Sequence, residues 1–275
     1  MPFDDGPERE PALVAPLKPR TDLQRRRRRR GVYLLPSLFT IGNMFCGYAC
    51  VAYAMRGELE TAAPFIGIAV ILDMLDGRIA RLTGSTSAFG REFDSLADVV
   101  SFGMAPALLV FGWGLEPLGR LGWAAGFVFV SAGAIRLARF NIQTSTDKRY
   151  FVGLPIPAAA AVPVATVYMY PSGLHDYISA LPALALMLVP ALLMVSTVRF
   201  RSFKTIDLQT RRSYKVLLVV AIAFFAITTH PRWTFVILAY GYLASAFIGM
   251  AMTRFRRRRG TEGAASSEES GERRT

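Results

Sequence analysis

The sequence predicts an all-α, polytopic membrane protein with about eight transmembrane helices, and three observations carry that prediction. Of its 275 residues, 52% are hydrophobic and only 19% charged, whereas soluble domains run at about 45–50% and about 25%. The mean hydropathy is +0.34, and the apolar residues gather in runs long enough to cross a bilayer. Most of the basic residues behind the net charge of +12 lie outside those runs, as membrane orientation requires and as nucleic-acid binding does not.

Taken in order, residues 1–31 form a polar, proline-containing leader that ends in the arginine run Arg25 to Arg30. Its composition predicts a disordered cytoplasmic leader rather than a secretory signal, because the apolar run that follows is too long for one. A membrane domain is expected over 32–254, with apolar segments at about 34–55, 61–80, 95–113, 121–138, 153–170, 178–198, 214–229 and 233–253. Helix is the state these runs must adopt, since hydrocarbon offers backbone groups no outside partner and the runs lack the alternation of barrel strands. Residues 255–275 read as a disordered cytoplasmic tail.

Orientation follows from the connections. Those after the second, fourth and sixth segments hold Arg81 and Arg91, then Arg139, Lys148 and Arg149, then Arg199, Arg201, Lys204, Arg211 and Arg212. The alternate connections hold only Arg56, Arg120 and Arg232. Positive residues stay inside, so both termini are expected in the cytoplasm, with the protein in the cytoplasmic (inner) membrane. Cys46 and Cys50 read as buried thiols, and His175 and His230 fall in short connections, so neither a disulfide framework nor a histidine triad is supported.

Carboxylates inside the spans are the informative exception, because each ionised group there costs several kcal/mol. Asp73 and Asp76 lie near the cytoplasmic end of the second segment, and Asp94 and Asp98 at the start of the third. Spacings of three and four put each pair on one helix face, about 60° and about 40° apart. Two antiparallel helices bring the pairs together, where mutual repulsion calls for a cation. Oxygen ligands without Cys or His favour Mg²⁺ or Mn²⁺, and four carboxylates suffice for two ions. Gly77 leaves a bare helix surface for a bulky ligand, and Arg78 and Arg81 offer forked donors to phosphate.

Asp73, Asp76, Gly77, Ala80, Arg81, Gly90, Asp94 and Asp98 match every fixed position of D-x2-D-G-x2-A-R-x8-G-x3-D-x3-D. This stretch resembles the signature of the CDP-alcohol phosphatidyltransferase family. The resemblance implies a membrane enzyme that moves a phosphatidyl group from a CDP-linked lipid to an alcohol and releases CMP. It implies metal ligation by Asp73, Asp76, Asp94 and Asp98, with Asp98 as the base. It further implies CDP binding by Gly77, Ala80, Arg81 and Gly90, and it suggests a homodimer.

Further stretches speak to the acceptor: Pro36 to Gly47, Ser95 to Pro106, Arg136 to Asn141, Phe151 to Pro157, and Ser196 to Lys204. Together they resemble the membrane-integral phosphatidylserine synthases of bacteria and archaea, over roughly residues 32 to 205. That resemblance implies CDP-diacylglycerol and L-serine as substrates. Arg136, Arg139 and Lys204 are candidate partners for the serine carboxylate, although basic residues also gather at cytoplasmic span ends without any ligand. Thr40 and Asn43, three apart on the first helix, either contact cytidine or pack helices together. The competing readings are another acceptor such as glycerol phosphate, inositol phosphate or choline, an archaeal ether-lipid donor, or an ion-coupled transporter. The last predicts charges near the bilayer midplane, where these are not.

Overall fold

The computed structural model describes residues 20–84, 87–142, 150–196, 199–201, 221 and 225–245. Helix α1 (Arg20–Ala54) turns at Gly57 (φ 75°) into α2 (Leu59–Thr83), and the two pack along each other as an antiparallel hairpin. The helical backbone reaches back to Arg20, into the stretch whose composition suggests a disordered leader. Arginine is a good helix former, and continuing an existing helix needs no new nucleus. Gly84 ends α2 in the left-handed conformation (φ 63°), its N–H donating to the Ala80 carbonyl.

Helix α3 (Ala88–Asp98) starts seven residues before the apolar segment that predicts it, so Gly90 and Asp94 are helical. Ser87 caps it by accepting the Gly90 N–H at 2.9 Å. The chain then widens into a π-helical stretch, Val99–Met104, before α4 (Ala105–Val110). Pro106 has no N–H and its ring crowds the preceding turn, which a wider turn relieves. A second π-helical stretch, Phe111–Leu115, and a 3-10 turn, Glu116–Leu118, complete this helical run.

Helix α5 (Arg120–Ile142) follows, then α6 (Ile156–Met169) and α7 (Tyr177–Val195). A three-residue antiparallel ribbon pairs Tyr150–Val152 with Arg199–Arg201 and closes the open end of the α6–α7 pair. The ribbon is a small departure from an all-helical expectation. Gly153 (φ 83°) and Pro155 shorten the fifth apolar segment, so α6 begins only at Ile156 and has 14 residues, about 21 Å of helix. Residues 231–245 are again helical.

Among the described residues, four helical stretches are long and apolar enough to cross a membrane: Pro36–Ala54, Ala88–Leu118, Arg120–Ile142 and Tyr177–Val195. The chain is an integral membrane protein. Large side chains such as Phe127, Ile178 and Leu192 face outward, while Ile66, Phe102, Leu109, Phe129 and Met187 fill the bundle interior. The expected segment at 214–229 lies mostly outside the described residues, and the one at 233–253 is described to residue 245. Cys46 and Cys50 are buried free thiols, as expected.

Helix α1 comes close to the π-helical stretch at Gly47. A Cβ on Gly47 would stand 2.7 Å from Ser101 Oγ and 2.8 Å from Ser101 Cα, so only glycine permits this approach. Ser101 Oγ uses it to donate to the Asn43 carbonyl at 2.9 Å. Gly47→Val should therefore force the helices apart at a cost of about 1–3 kcal/mol, read as a lower thermal midpoint in detergent. Gly112→Ala, with open space around the added methyl, should leave the midpoint unchanged or raise it.

Candidate active site

The α1–α2 hairpin and the return of α3 bring the four aspartates to one end of the bundle. Carboxylate oxygens of Asp73, Asp76 and Asp94 lie within 4.8 Å of one another. Asp98 stands beside them, within electrostatic reach of Asp73 and Asp94. Among the described residues, the buried polar and charged side chains are Thr40, Asn43, Asp76, Asp98 and Ser101. All five belong to this cluster, so the bundle spends its buried polarity in one place.

Helix α1 supplies the hydrogen bonds. Thr40 Oγ1 lies 3.1 Å from Asp76 Oδ2, to which it donates, and 3.2 Å from the Pro36 carbonyl. Asn43 Nδ2 donates to Asp98 Oδ1 at 3.3 Å. A spacing of three on α1 thus hands one donor to each carboxylate pair. Beyond the two roles open to Thr40 and Asn43 from sequence, both side chains hydrogen-bond carboxylates. Thr40 also lines the cleft that opens beside them, whereas Asn43 is fully buried.

That cleft runs between α1, α2 and the start of α3. Asp76, Gly77, Ala80, Gly90 and Asp94 line it together with Thr40, so five of the eight signature positions share one cleft. Gly90 sits over the cap, where a Cβ would come 3.1 Å from Ser87 Oγ. Arg81 does not line the cleft; its Nε donates to the Gly77 carbonyl at 2.8 Å, folding the guanidinium back along α2. Ser37, Ser87 and Arg91 line the cleft as well and were not singled out from sequence. Ser87 was legible in principle as a serine opening a helix, but Ser37 and Arg91 reach the cleft only through tertiary packing.

A divalent cation suits this donor set. The ligands are carboxylate oxygens, and among the described residues Asp94 Oδ1 is buried with no hydrogen-bond partner and no ion pair to these aspartates occurs. Asp73, Asp76 and Asp94 can hold such an ion.

Near Asp98, α5 contributes Arg136. It is half-buried, its Nε has no hydrogen-bond partner among the described residues, and it lies within electrostatic reach of Asp98. Arg139, one turn on, is exposed, and Lys204 lies outside the described residues. Asn141 Nδ2 donates to Ser95 Oγ at 3.0 Å and to Glu92 Oε2 at 3.4 Å, tying the end of α5 to α3.

Residues 33–198 match the sequence model of the family described as CDP-alcohol phosphatidyltransferase. The chain belongs to that family. A Helicobacter pylori protein named "CDP-diacylglycerol--serine O-phosphatidyltransferase" is 41% identical over 199 residues, covering 70% of this chain and 82% of the relative. A Bacillus subtilis protein of the same name is 34% identical, covering 62% and 91%. An "Archaetidylserine synthase" of Methanothermobacter thermautotrophicus is 36% identical, covering 60% and 69%. The family match takes in the four aspartates, the cleft and Arg136, and it ends before residues 231–245.

If Thr40 orients Asp76 toward a bound cation, Thr40→Val should weaken Mn²⁺ binding by about 10-fold or more, and Asp94→Asn should abolish it. Titration of the purified chain with Mn²⁺, followed by electron paramagnetic resonance, measures both.

Proposed function

We propose that this CDP-alcohol phosphatidyltransferase transfers the phosphatidyl group of CDP-diacylglycerol to L-serine and releases CMP. The observation that carries the reading is a half-buried arginine, Arg136, within electrostatic reach of Asp98, which itself stands beside a group of three carboxylates. A nucleotide pyrophosphate and a small zwitterion need these two kinds of site side by side. The names of the Helicobacter and Bacillus relatives support serine as the acceptor.

In this reading Asp73, Asp76, Asp94 and Asp98 hold Mg²⁺ or Mn²⁺, two ions in all. Bound there, the cations supply positive charge that offsets the pyrophosphate and the departing CMP. Thr40 fixes Asp76. Gly77, Ala80 and Gly90, carrying little or no side chain, let the nucleotide lie against the backbone of α2 and α3, and Arg81 meets phosphate at the edge of the cleft. Asn43 stays with Asp98.

Arg136 receives the serine carboxylate, assisted by Arg139 and Lys204, and so turns the hydroxyl toward Asp98. Asn43 engages Asp98 Oδ1, which leaves Oδ2 to take the hydroxyl proton. The serine oxygen forms a bond to the phosphatidyl phosphorus, and the bond from that phosphorus to the CMP oxygen breaks, its electron pair leaving with CMP. Proton transfer accompanies attack, because a carboxylate is too weak a base to ionise an alcohol beforehand.

The arrangement in the membrane belongs to the same proposal: eight spans, both termini and the cleft on the cytoplasmic side of the inner membrane, and a homodimer. The acyl chains stay in the bilayer, so the lipid enters sideways between helices. The leader of residues 1–31 and the tail of 255–275 flank the catalytic domain.

The test is CMP release from CDP-diacylglycerol by the purified chain with Mn²⁺ or Mg²⁺, across serine, glycerol 3-phosphate, inositol, inositol phosphate and choline. Release is expected with serine and not in Asp94→Asn. Asp98→Asn should fold and bind CDP yet lose about 10²-fold or more in turnover. Release with another acceptor alone would overturn the serine assignment, and a near-normal rate in Asp98→Asn would remove the base.

A further inference from the structure

The family match stops at residue 198, yet the helical residues 231–245 are fastened to the catalytic bundle by specific contacts. Arg232 forms an ion pair with Glu60 at the start of α2, and its guanidinium carbon lies 5.8 Å from the Tyr168 ring centroid on α6. The Phe235 ring fills the space that a Cβ on Gly67 would need and meets Tyr168 edge-on at 6.1 Å. Ala239 is buried against Val162 and Ala165 of α6, and the Tyr240 hydroxyl is 2.7 Å from Thr166 Oγ1.

These contacts fix direction and rotation. Glu60 with Arg232 and Gly67 with Phe235 rise together in sequence, so this helix runs parallel to α2. At about 100° per residue, Tyr240 lies on the edge that meets α6, while Tyr242 follows Phe235 by seven residues and about 20°, on the edge that meets α2. Seven residues beyond the Phe235 and Gly67 contact is about 10.5 Å along either helix. On α2 that step ends at position 74, beside Asp73, so Tyr242 stands at the level of the carboxylates. Arg136 and Tyr242 lie within electrostatic reach of each other.

We infer that the helix 231–245 is a wall of the acceptor compartment and that Tyr242 is a positioning residue for Arg136. The inference rests on the acceptor site argued above and deepens it. An arginine head set among apolar helices has many orientations of similar energy until polar neighbours choose among them. Asp98 and Tyr242 both lie within electrostatic reach of Arg136, and Tyr242 brings a polar hydroxyl to it from a different helix. Tyr242 would thereby tune affinity for the acceptor without touching the nucleotide. The anchor at Gly67 and Phe235 places it, which explains why a glycine stands in the middle of α2.

The experiment compares the full-length protein with Tyr242→Phe, Tyr242→His, Arg136→Gln and the double variant Arg136→Gln/Tyr242→Phe, measuring KM for acceptor and donor separately. Tyr242→Phe should raise the acceptor KM about five- to tenfold, with kcat and the CDP-diacylglycerol KM within about twofold and the thermal midpoint unchanged. Tyr242→His, which restores a polar ring, should recover part of the loss, and the double variant should be no worse than Arg136→Gln. An unchanged acceptor KM in Tyr242→Phe, equal movement of both KM values, or additive losses in the double variant would overturn the inference. If the wild type uses an acceptor other than serine, the serine assignment falls, and the same comparison with that acceptor still decides the role of Tyr242. If it uses no acceptor, both fall.

Discussion

Everything in this protein answers to the cost of placing four carboxylates within a helical membrane bundle. An ionised group there is expensive unless it is paired, hydrogen-bonded or bound to a cation. The chain meets the cost by local supply: Thr40 gives a hydrogen bond to Asp76, Asn43 gives one to Asp98, and the oxygens of Asp73, Asp76 and Asp94 are left to converge on one point. Helix α1 contains no acid or base from Leu34 to Ala54, yet it stabilises both acidic pairs. Its contribution is polar but neutral, so the charge balance of the site is left for a cation to complete.

That supply depends on how closely the helices approach. Asn43 reaches Asp98 because α1 lies against the π-helical stretch with no side chain at Gly47 to hold them apart. The π-helical stretch follows Asp98 directly and accommodates Pro106. Without the wider turn, the α-helical path would carry the next residues on with different rotation, and Ser101 would no longer face the Asn43 carbonyl. A proline eight residues away from Asp98 thus contributes to where Asp98 points, through backbone geometry rather than contact.

Much of this was legible in the sequence, for definite reasons. The spans announce themselves because a bilayer core demands long apolar runs, and the aspartates because charge in such a run is costly. The resemblance to the CDP-alcohol phosphatidyltransferases rested on residues at fixed helical spacing, and the family match agrees with it. What escaped notice depends on contacts between distant parts of the chain. Nothing local says that Ser37 and Arg91 share a cleft, or that Arg81 turns back onto the Gly77 carbonyl. The early start of α3 escaped because Ala88 to Phe93 is polar enough to resemble a loop, while the Ser87 cap makes it a helix. The three-residue ribbon has too short a pattern to be read at all.

The helix at 231–245 is the sharpest case. Its sequence, Pro231 to Ser245, shows aromatic and small residues in an apolar run and carries none of the family signature. Hydropathy treats it as one more span. Its significance appears only when Gly67 on α2 is seen to be bare because Phe235 occupies the space. A glycine in the middle of a helix costs about 1 kcal/mol relative to alanine, and α2 places one six residues before its first catalytic-site aspartate. Close packing against Phe235 gives a physical reason for that cost. It makes the register between α2 and the helix at 231–245 a single-valued quantity, so this helix outside the matched family core is held at a fixed height beside the carboxylates instead of drifting along them in the bilayer.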